Sequence, residues 1–532
     1  MRTEAAPVAW TLQDSLQAVQ HHNTDEEPPM SLQLSLPPSA PGRVRPFDME
    51  AEAIPAYLAN LPAHDAFESA RLLLEELQRL NGTRMRAALR QDATELFLAE
   101  ANRVLPALDG KLARATLPFS SHSRSAAGLA EDLLVQLAYS YKLLLVEQGR
   151  RLFGFASSGR AMLPVVRAMQ LLARRLAIGY RMYATNPKGV WSELHQLHHF
   201  ASRRGLAAKA LPGETETPAA VYRNALLVAF ADPLKLMAGD LDRLQSFLQS
   251  FGELATLGSA GQQKPGQGLF LIKPQRDLPG YALAKRHHPM PQSQDLVLNT
   301  LPLAEKLLDQ LARLAAGEDA AAVGLPTAAA DPAYRDLMGR LVKHWGAVPN
   351  RRFTRLRTHA RVEISVGLRG IWDFLQSHGK PAPASGEWLV TNESPRGFAL
   401  LHLSGPIEPI RVGEVVGIRT RDTQTCHICV VRWVLSDKPE HLELGLEEIA
   451  PAARPVSIRK TRDSADKPSE PVLLLPEVPS LNQAPALLAP LAALDSTCEL
   501  NLGELQSKLR VRATRLLERT VSVQVVQFSA VN

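Results

Sequence analysis

Apolar residues recur every three or four positions through the first two thirds of the chain, and at every second position through most of the rest. From about Met49 to Gly346 the stripes are helical. Ala70, Leu73, Leu74, Leu77 and Leu80 mark one face of a segment that opens on the capping box Asp65-Ala66-Phe67-Glu68 and stops at Asn81-Gly82. The spacing predicts further helices over Thr94–Leu105, Ala126–Glu147, Ala161–Tyr183, Val190–Arg203, Pro218–Ala231, Asp240–Phe251 and Leu303–Leu314. A last helix follows Asp331-Pro332, with proline at the first helical position, and runs to Trp345 before Gly346. Short links with stop signals such as Asn186-Pro187 and Asp232-Pro233 predict a bundle or a stacked array of helix pairs.

The pattern breaks in three places. Residues 1–48 carry Pro28, Pro29, Pro37, Pro38 and Pro41 and no stripe, so a flexible N-terminal segment is expected. Within the helical region 49–346, a glycine cluster and Leu269-Phe270-Leu271-Ile272 predict a small β insertion or an irregular excursion over 252–297. From Arg357 to Ile449 the alternation is β: Val362, Ile364 and Val366, then Trp388–Thr391, Phe398–Leu403, Val415–Arg419, His427–Leu435 and His441–Leu446. Short strands at this spacing predict a small barrel over 347–450. A charged, proline- and serine-containing linker is expected at 451–475. Extra strands follow over 476–532, either a second β unit or an appendage, marked by Leu509, Val511 and Ala513 and by Val521, Val523 and Val525. The fold class is therefore multidomain α+β: an all-α N-terminal bundle or array, then a small β-barrel and extra C-terminal strands.

Composition narrows the function classes. At 532 residues with 45% hydrophobic content, several ordinary globular domains are expected. A net charge of +6 is mild for this length; it suits a small anionic ligand without requiring nucleic acid. Cys426, Cys429 and Cys498 form no disulfide framework, Met1–Ser15 carries no apolar leader, and no uncharged apolar run has the length of a membrane span. The expected location is the cytoplasm.

The densest chemistry lies between Arg351 and Gly397. Arg351-Arg352-Phe353-Thr354-Arg355 gives an RxxxR, and Asn392-Glu393-Ser394-Pro395-Arg396-Gly397 gives an NxSxxG. Guanidinium groups pair bidentately with phosphate oxygens, stack on bases and fork onto the O6/N7 edge of guanine. Residues i and i+4 share a face; in an extended segment Arg351 and Arg355 stand about 13 Å apart. The Asn392 amide and Ser394 hydroxyl also alternate onto one side, and Gly397 permits a turn or close approach that a Cβ would block.

This pair of motifs, in this order and within a β-patterned segment, resembles the PilZ domain, a bacterial receptor for cyclic di-GMP. The closing Glu443-Leu444-Gly445-Leu446 is similar to the end of a PilZ barrel. The resemblance covers about residues 348–450. It implies that Arg351, Arg352, Arg355, Asn392, Ser394 and Gly397 bind cyclic di-GMP, with Arg357 a further charge within reach of phosphate. It also implies a cytoplasmic receptor that relays the ligand to an unidentified protein partner through its helical region, in motility, surface attachment, pilus or biofilm control. Ligand binding is expected to order the link between the last helix and the barrel, and so to reorient the helical region relative to the barrel. The alternative is a helical scaffold whose barrel binds no ligand; a nucleic-acid binder ranks last, because few aromatics interleave the basic residues.

Other motifs point elsewhere only weakly. Cys426-His427-Ile428-Cys429 has zinc-finger spacing, but within a strand an odd separation puts the two sulfurs on opposite faces, and no second ligand pair follows. His195, His198 and His199 lack the intervening glutamate of HExxH and are expected on a packed or solvated helix face. Trp191-Ser192-Glu193-Leu194 with Ala201 faintly resembles a tetratricopeptide helix, without the 34-residue period of such repeats. Glycines 258–268 make no phosphate loop, and no catalytic constellation appears. No enzyme activity, cofactor, metal or DNA partner is expected.

Overall fold

The computed structural model describes residues 32–37, 52–112, 116–151, 158–261, 266–283, 291–346, 356–377, 386–420, 425–460, 469–477, 484–491, 493–494, 498–501 and 508–531. Helices build the first part: α1 (Ile54–Ala59), α2 (Ala66–Gly82), α3 (Ala87–Leu112), α4 (Ser121–Arg151), α5 (Ser158–Arg181), α6 (Val190–Arg203), α7 (Pro218–Phe230) and α8 (Asp240–Phe251). Asp65 caps α2, its carboxylate accepting from Phe67 N–H at 3.0 Å and Glu68 N–H at 3.1 Å. Helix α3 outruns the expected end at Leu105 and passes through Pro106. Proline removes one hydrogen bond there, but the apolar stripe continues to Leu108 and Leu112, both buried.

The expected β insertion is a four-stranded sheet of β1 (Thr256–Ser259), β2 (Leu269–Ile272), β3 (Tyr281–Ala282) and β4 (Leu296–Asn299), in the order β1-β4-β2-β3. Helices α9 (Leu301–Ala315) and α10 (Pro332–Trp345) follow. Trp345 is fully buried where α10 ends; its indole N–H donates to the Leu227 carbonyl at 3.2 Å, and its own carbonyl accepts from the Thr300 hydroxyl at 2.5 Å.

The middle sheet holds β5 (Leu356–Arg357), β6 (Arg361–Val366), β7 (Glu387–Ser394), β8 (Gly397–Ser404), β9 (Val415–Thr420), β10 (Cys426–Lys438) and β11 (His441–Ala450). Its order is β5-β7-β6-β9-β10-β11-β8, and β8 also pairs with β7, so six strands close on themselves. Strand β5 takes the far half of the β7 edge that β6 uses. The barrel interior and the helices share one continuous core, running from Leu73 and Trp191 to Trp388, Leu400 and Leu444. Main-chain bonds tie the two parts: Leu117 and Ile410 exchange N–H···O bonds of 2.9 and 2.8 Å, and Ser436 N–H donates to the Tyr183 carbonyl at 2.8 Å.

Three expectations are corrected. The stretch 451–475 does not merely link: β12 (Arg454–Lys460) and β13 (Glu470–Leu475) join β14 (Ala486–Pro490), β15 (Cys498–Asn501), β16 (Lys508–Arg519) and β17 (Val523–Ala530) in a closed barrel of order β12-β13-β14-β17-β16-β15. Burial, not composition, decides this, since Val456, Ile458, Val472 and Leu473 alternate into cores. The segment 357–449 is not all β: α11 (Gly367–Gln376) lies between β6 and β7. Its Leu368 and Ile371 pack with Val415 and Cys426 of the middle barrel and with Leu473, Leu488 and Val525 of the C-terminal one. Finally, residues 32–37 of the expected flexible N-terminal segment are held against the helices by hydrogen bonds to α6; residues 1–31 and 38–48 lie outside the described residues.

Helix α11 is thus the wedge between the barrels, and the Trp372 indole N–H donates to the Val456 carbonyl at 2.8 Å. Ile371 is fully buried there. Ile371→Ala is expected to lower the unfolding free energy by about 2–5 kcal/mol, read by chemical denaturation, whereas Arg369→Ala on the exposed face of α11 should move it by less than about 0.5 kcal/mol.

Candidate functional site

The NxSxxG stretch forms the β7–β8 hairpin. Ser394 and Gly397 are its last paired residues, with Pro395-Arg396 as the two-residue turn. The Ser394 hydroxyl donates to the Gly397 carbonyl at 3.2 Å. At Gly397 φ is +154°, and a Cβ there would stand 1.9 Å from the Leu446 carbonyl oxygen of β11. Main chain cannot yield as a side-chain tip can, so this position admits only glycine without displacing β11.

A register shift between Val390 and Asn392 places an extra residue, Thr391, in β7. Its effect is to re-aim the strand. Trp388 and Val390 pair with His402 and Leu400; Trp388 and Val390 are buried in the barrel interior. In an unbroken strand Asn392 would share that inward face. Beyond the extra residue Asn392 pairs with Ala399 and Ser394 with Gly397, so both polar side chains turn to the opposite, outer face.

One cross-strand row then crosses the outer face of five strands. Arg357 of β5 pairs with Asn392 of β7, Asn392 with Ala399 of β8, Ala399 with Gly445 of β11, and Gly445 with Trp433 of β10. A cation and an amide stand at one end; at the other the Trp433 indole lies across the floor of the row, whose Ala399 and Gly445 are buried. The floor is small for a steric reason: a Cβ on Gly445 would fall 1.7 Å from the Trp433 Nε1. Neither the Arg357 guanidinium nor the Asn392 amide has a hydrogen-bond or ion-pair partner among the described residues. In the neighbouring row Arg396 lies 3.6 Å from Glu447, which also accepts from Arg432 Nε at 2.8 Å; Arg432 in turn pairs with Glu518 of the C-terminal barrel.

Arg351, Arg352 and Arg355 lie outside the described residues. The chain re-enters at Leu356, which pairs with Glu393 of the second motif and is 72% exposed. The first motif thus leads directly onto the strand that borders the second. Sequence inspection missed Trp433 as part of this face. Its only signal was an aromatic in the β10 pattern, which normally marks a core.

The other motifs are structural. Cys426 and Cys429 are both buried, in two different cores, and burial pushes the Cys426 thiol up to about 12. His195 is held between the Tyr222 hydroxyl at 2.5 Å and the Leu278 carbonyl at 2.9 Å. His198 stacks on Tyr222 with centroids 4.2 Å apart, and burial lowers its pKa from 6.5 to about 4. No group of three metal-ligating side chains occurs, and no helix is long and apolar enough to cross a membrane, among the described residues.

Comparison with known proteins bears on the whole layout. Residues 52–263 match the family described as cyclic-di-GMP receptor FimW, N-terminal domain. Residues 269–380 and 375–455 match cyclic-di-GMP receptor FimW, middle PilZ domain, and residues 456–531 match the FimW C-terminal beta-barrel domain. The middle match begins at β2, upstream of the expected boundary at residue 347. Among curated proteins, the cyclic-di-GMP receptor FimW of Pseudomonas aeruginosa is 26% identical over 529 aligned residues, covering 83% of this chain and 84% of that protein.

Two outcomes are expected. Gly397→Ala should destabilise the protein by more than about 2 kcal/mol through displacement of β11, while Pro395→Ala at the exposed turn should be near neutral; thermal melts of the two compare them. His198 has a folded pKa below its unfolded value of 6.5. The unfolded chain therefore binds the extra proton between pH 6.5 and about 4, and stability falls as pH is lowered through that window, by roughly 3 kcal/mol at most from this group. His198→Phe keeps the stack on Tyr222 and should flatten that part of the stability–pH profile.

Proposed function

Because the chain belongs to the PilZ-domain cyclic-di-GMP receptor family, we propose that it is a cytoplasmic receptor. It binds cyclic di-GMP on the outer face of the middle barrel and passes the signal to a protein partner through its helical region. Arg351, Arg352 and Arg355 clamp the phosphodiesters and guanine edges, and Arg357 adds charge at the same end of the row. Asn392 and Ser394 supply polar contacts, and Gly397 keeps the hairpin seated. The role is recognition without catalysis, and the output is motility, surface attachment, pilus function or biofilm formation.

The observation that carries this reading is the pairing of Leu356-Arg357 with Glu393 and Asn392. It brings the residues that follow the arginine motif beside an outward-facing amide that has no partner among the described residues. A ligand with two phosphodiester charges and two flat guanine bases suits a cation and an amide at one end of the row and an indole at the other. Signal passes through α10. The arginines follow its end closely in sequence, its Trp345 is locked into the helical core, and its Arg340 pairs with Asp240 of α8 at 2.6 Å. Ligand engagement of residues 351–355 therefore pulls on an element the helices share.

The ligand-free scaffold remains the competing reading, and one observation favours it: Gly397 and the Ser394 hydroxyl already have structural duties. Calorimetry separates the two. Arg351→Ala/Arg355→Ala should weaken cyclic di-GMP at least about 100-fold, from two lost charge-assisted contacts of about 1.5–3 kcal/mol each, with an unchanged melting temperature. Asn392→Ala should cost about tenfold. Ligand should also slow hydrogen exchange over residues 340–360. Wild-type protein that gives no heat with cyclic di-GMP at micromolar concentration leaves the scaffold.

A further inference from the structure

Residues Leu32 to Pro37 lie extended against α4 and α6. Gln196 of α6 meets the main chain of Gln33 at two points. Its Oε1 accepts from Gln33 N–H at 2.8 Å, and its Nε2 donates to the Gln33 carbonyl at 3.2 Å. One side-chain amide thus satisfies the donor and acceptor of one residue, whatever side chain that residue carries. Two positions on, Ser35 donates to Glu193 Oε1 from its N–H at 2.6 Å and from its hydroxyl at 2.5 Å, and its Oγ accepts from Lys142 Nζ at 3.1 Å. Lys142 and Glu193 are themselves an ion pair, with side chains only 1% and 6% exposed. Leu32 and Leu34, at alternate positions, pack against the helical core.

We infer that this face of α4 and α6 is a recognition site for extended peptide, held here by the chain's own residues 32–37. Its exchange partner is a segment of another protein with the same chemistry: two apolar side chains at alternate positions, then a small hydroxyl residue. Three features support exchange. The Gln196 contacts are to main chain and re-form with any strand. The resident segment is incompletely buried, since Leu32 and Leu34 keep some exposure and Leu36 is exposed. The receiving side is costly to leave empty, because the Glu193 carboxylate is buried and takes two of its hydrogen bonds from Ser35. The inference deepens the reading of the helical region as the partner-facing part and rests on it for that role, but peptide binding is measured without dinucleotide.

The test uses full-length protein with Leu34→Asp/Ser35→Asp, which sets one carboxylate in the apolar seat and another against Glu193. Ser35→Asp alone replaces it if the double variant loses its melting transition. The probe is a labelled peptide of residues 30–39. The Gln33 amide should exchange at least about tenfold faster in the variant, which should bind the peptide at least about tenfold more tightly than wild type, whose own segment competes. Adding Gln196→Ala should weaken the peptide by about tenfold again. No binding to the variant, equal binding with and without Gln196, or equally fast Gln33 exchange in wild type overturns the inference. So does a wild-type dimer that the variant dissolves, which would make the occupant a second copy's segment. Calorimetry with cyclic di-GMP on the same variant reads the barrel separately, so failure of either reading is recognised on its own.

Discussion

Gly397 touches the main chain of Leu446 where no side-chain atom fits, and the middle barrel depends on that contact. The contact brings β8 against β11 at the mouth of the β7–β8 hairpin. With β8 paired on both sides, the six-strand ring is complete. Closure in turn gives the extra residue in β7 its meaning. In any sheet a one-residue bulge switches the face that later side chains take. In a closed ring it decides whether a side chain faces the core or solvent. Trp388 and Val390 go inward, while Asn392 and Ser394 go outward within four residues.

The barrel is not an independent bead on a string. One apolar core runs from the helices into the ring, and the Leu117–Ile410 exchange fixes them at main-chain level. A rigid-body swing of the helical region would therefore have to break paired backbone groups and open apolar surface, which costs more than a small ligand readily supplies. The arginine motif lies in sequence between a fully buried tryptophan and a two-residue strand.

How much of this the sequence disclosed follows from the kind of signal each part carries. Helices α6, α8 and α10 have their predicted limits because caps, prolines and glycines mark their ends. The strands of the middle barrel were visible as period-two alternation. Helix α11 was missed although Leu368, Ile371, Trp372 and Leu375 carry a helical spacing. A ten-residue pattern flanked by strands is easily absorbed into them. Strands β12 and β13 were hidden by a charged, proline-bearing composition that reads as linker; only ring closure, a long-range property, reveals them. At the site, the motif residues were legible as chemistry, but the outward turn of Asn392 was not. It depends on Thr391 being unpaired in the ladder, which no local pattern encodes. The row ending in Trp433 joins residues 357, 392, 399, 445 and 433, and only strand register assembles it.

Charge is the remaining constraint. A net +6 spread over 532 residues creates no long-range field strong enough to select a dinucleotide. Selection has to be local, and the barrel's arginines are unequal in this respect. Arg361 is bonded to Glu387, Arg419 to Glu363, and Arg432 to Glu447 and Glu518; Arg396 shares Glu447 at 3.6 Å. Those cations are largely committed to holding strands and barrels together. Among the described residues Arg357 has no such carboxylate, and the Asn392 amide beside it has no partner among them either. Under the proposed reading, that uncompensated charge is what draws an anionic ligand to this face.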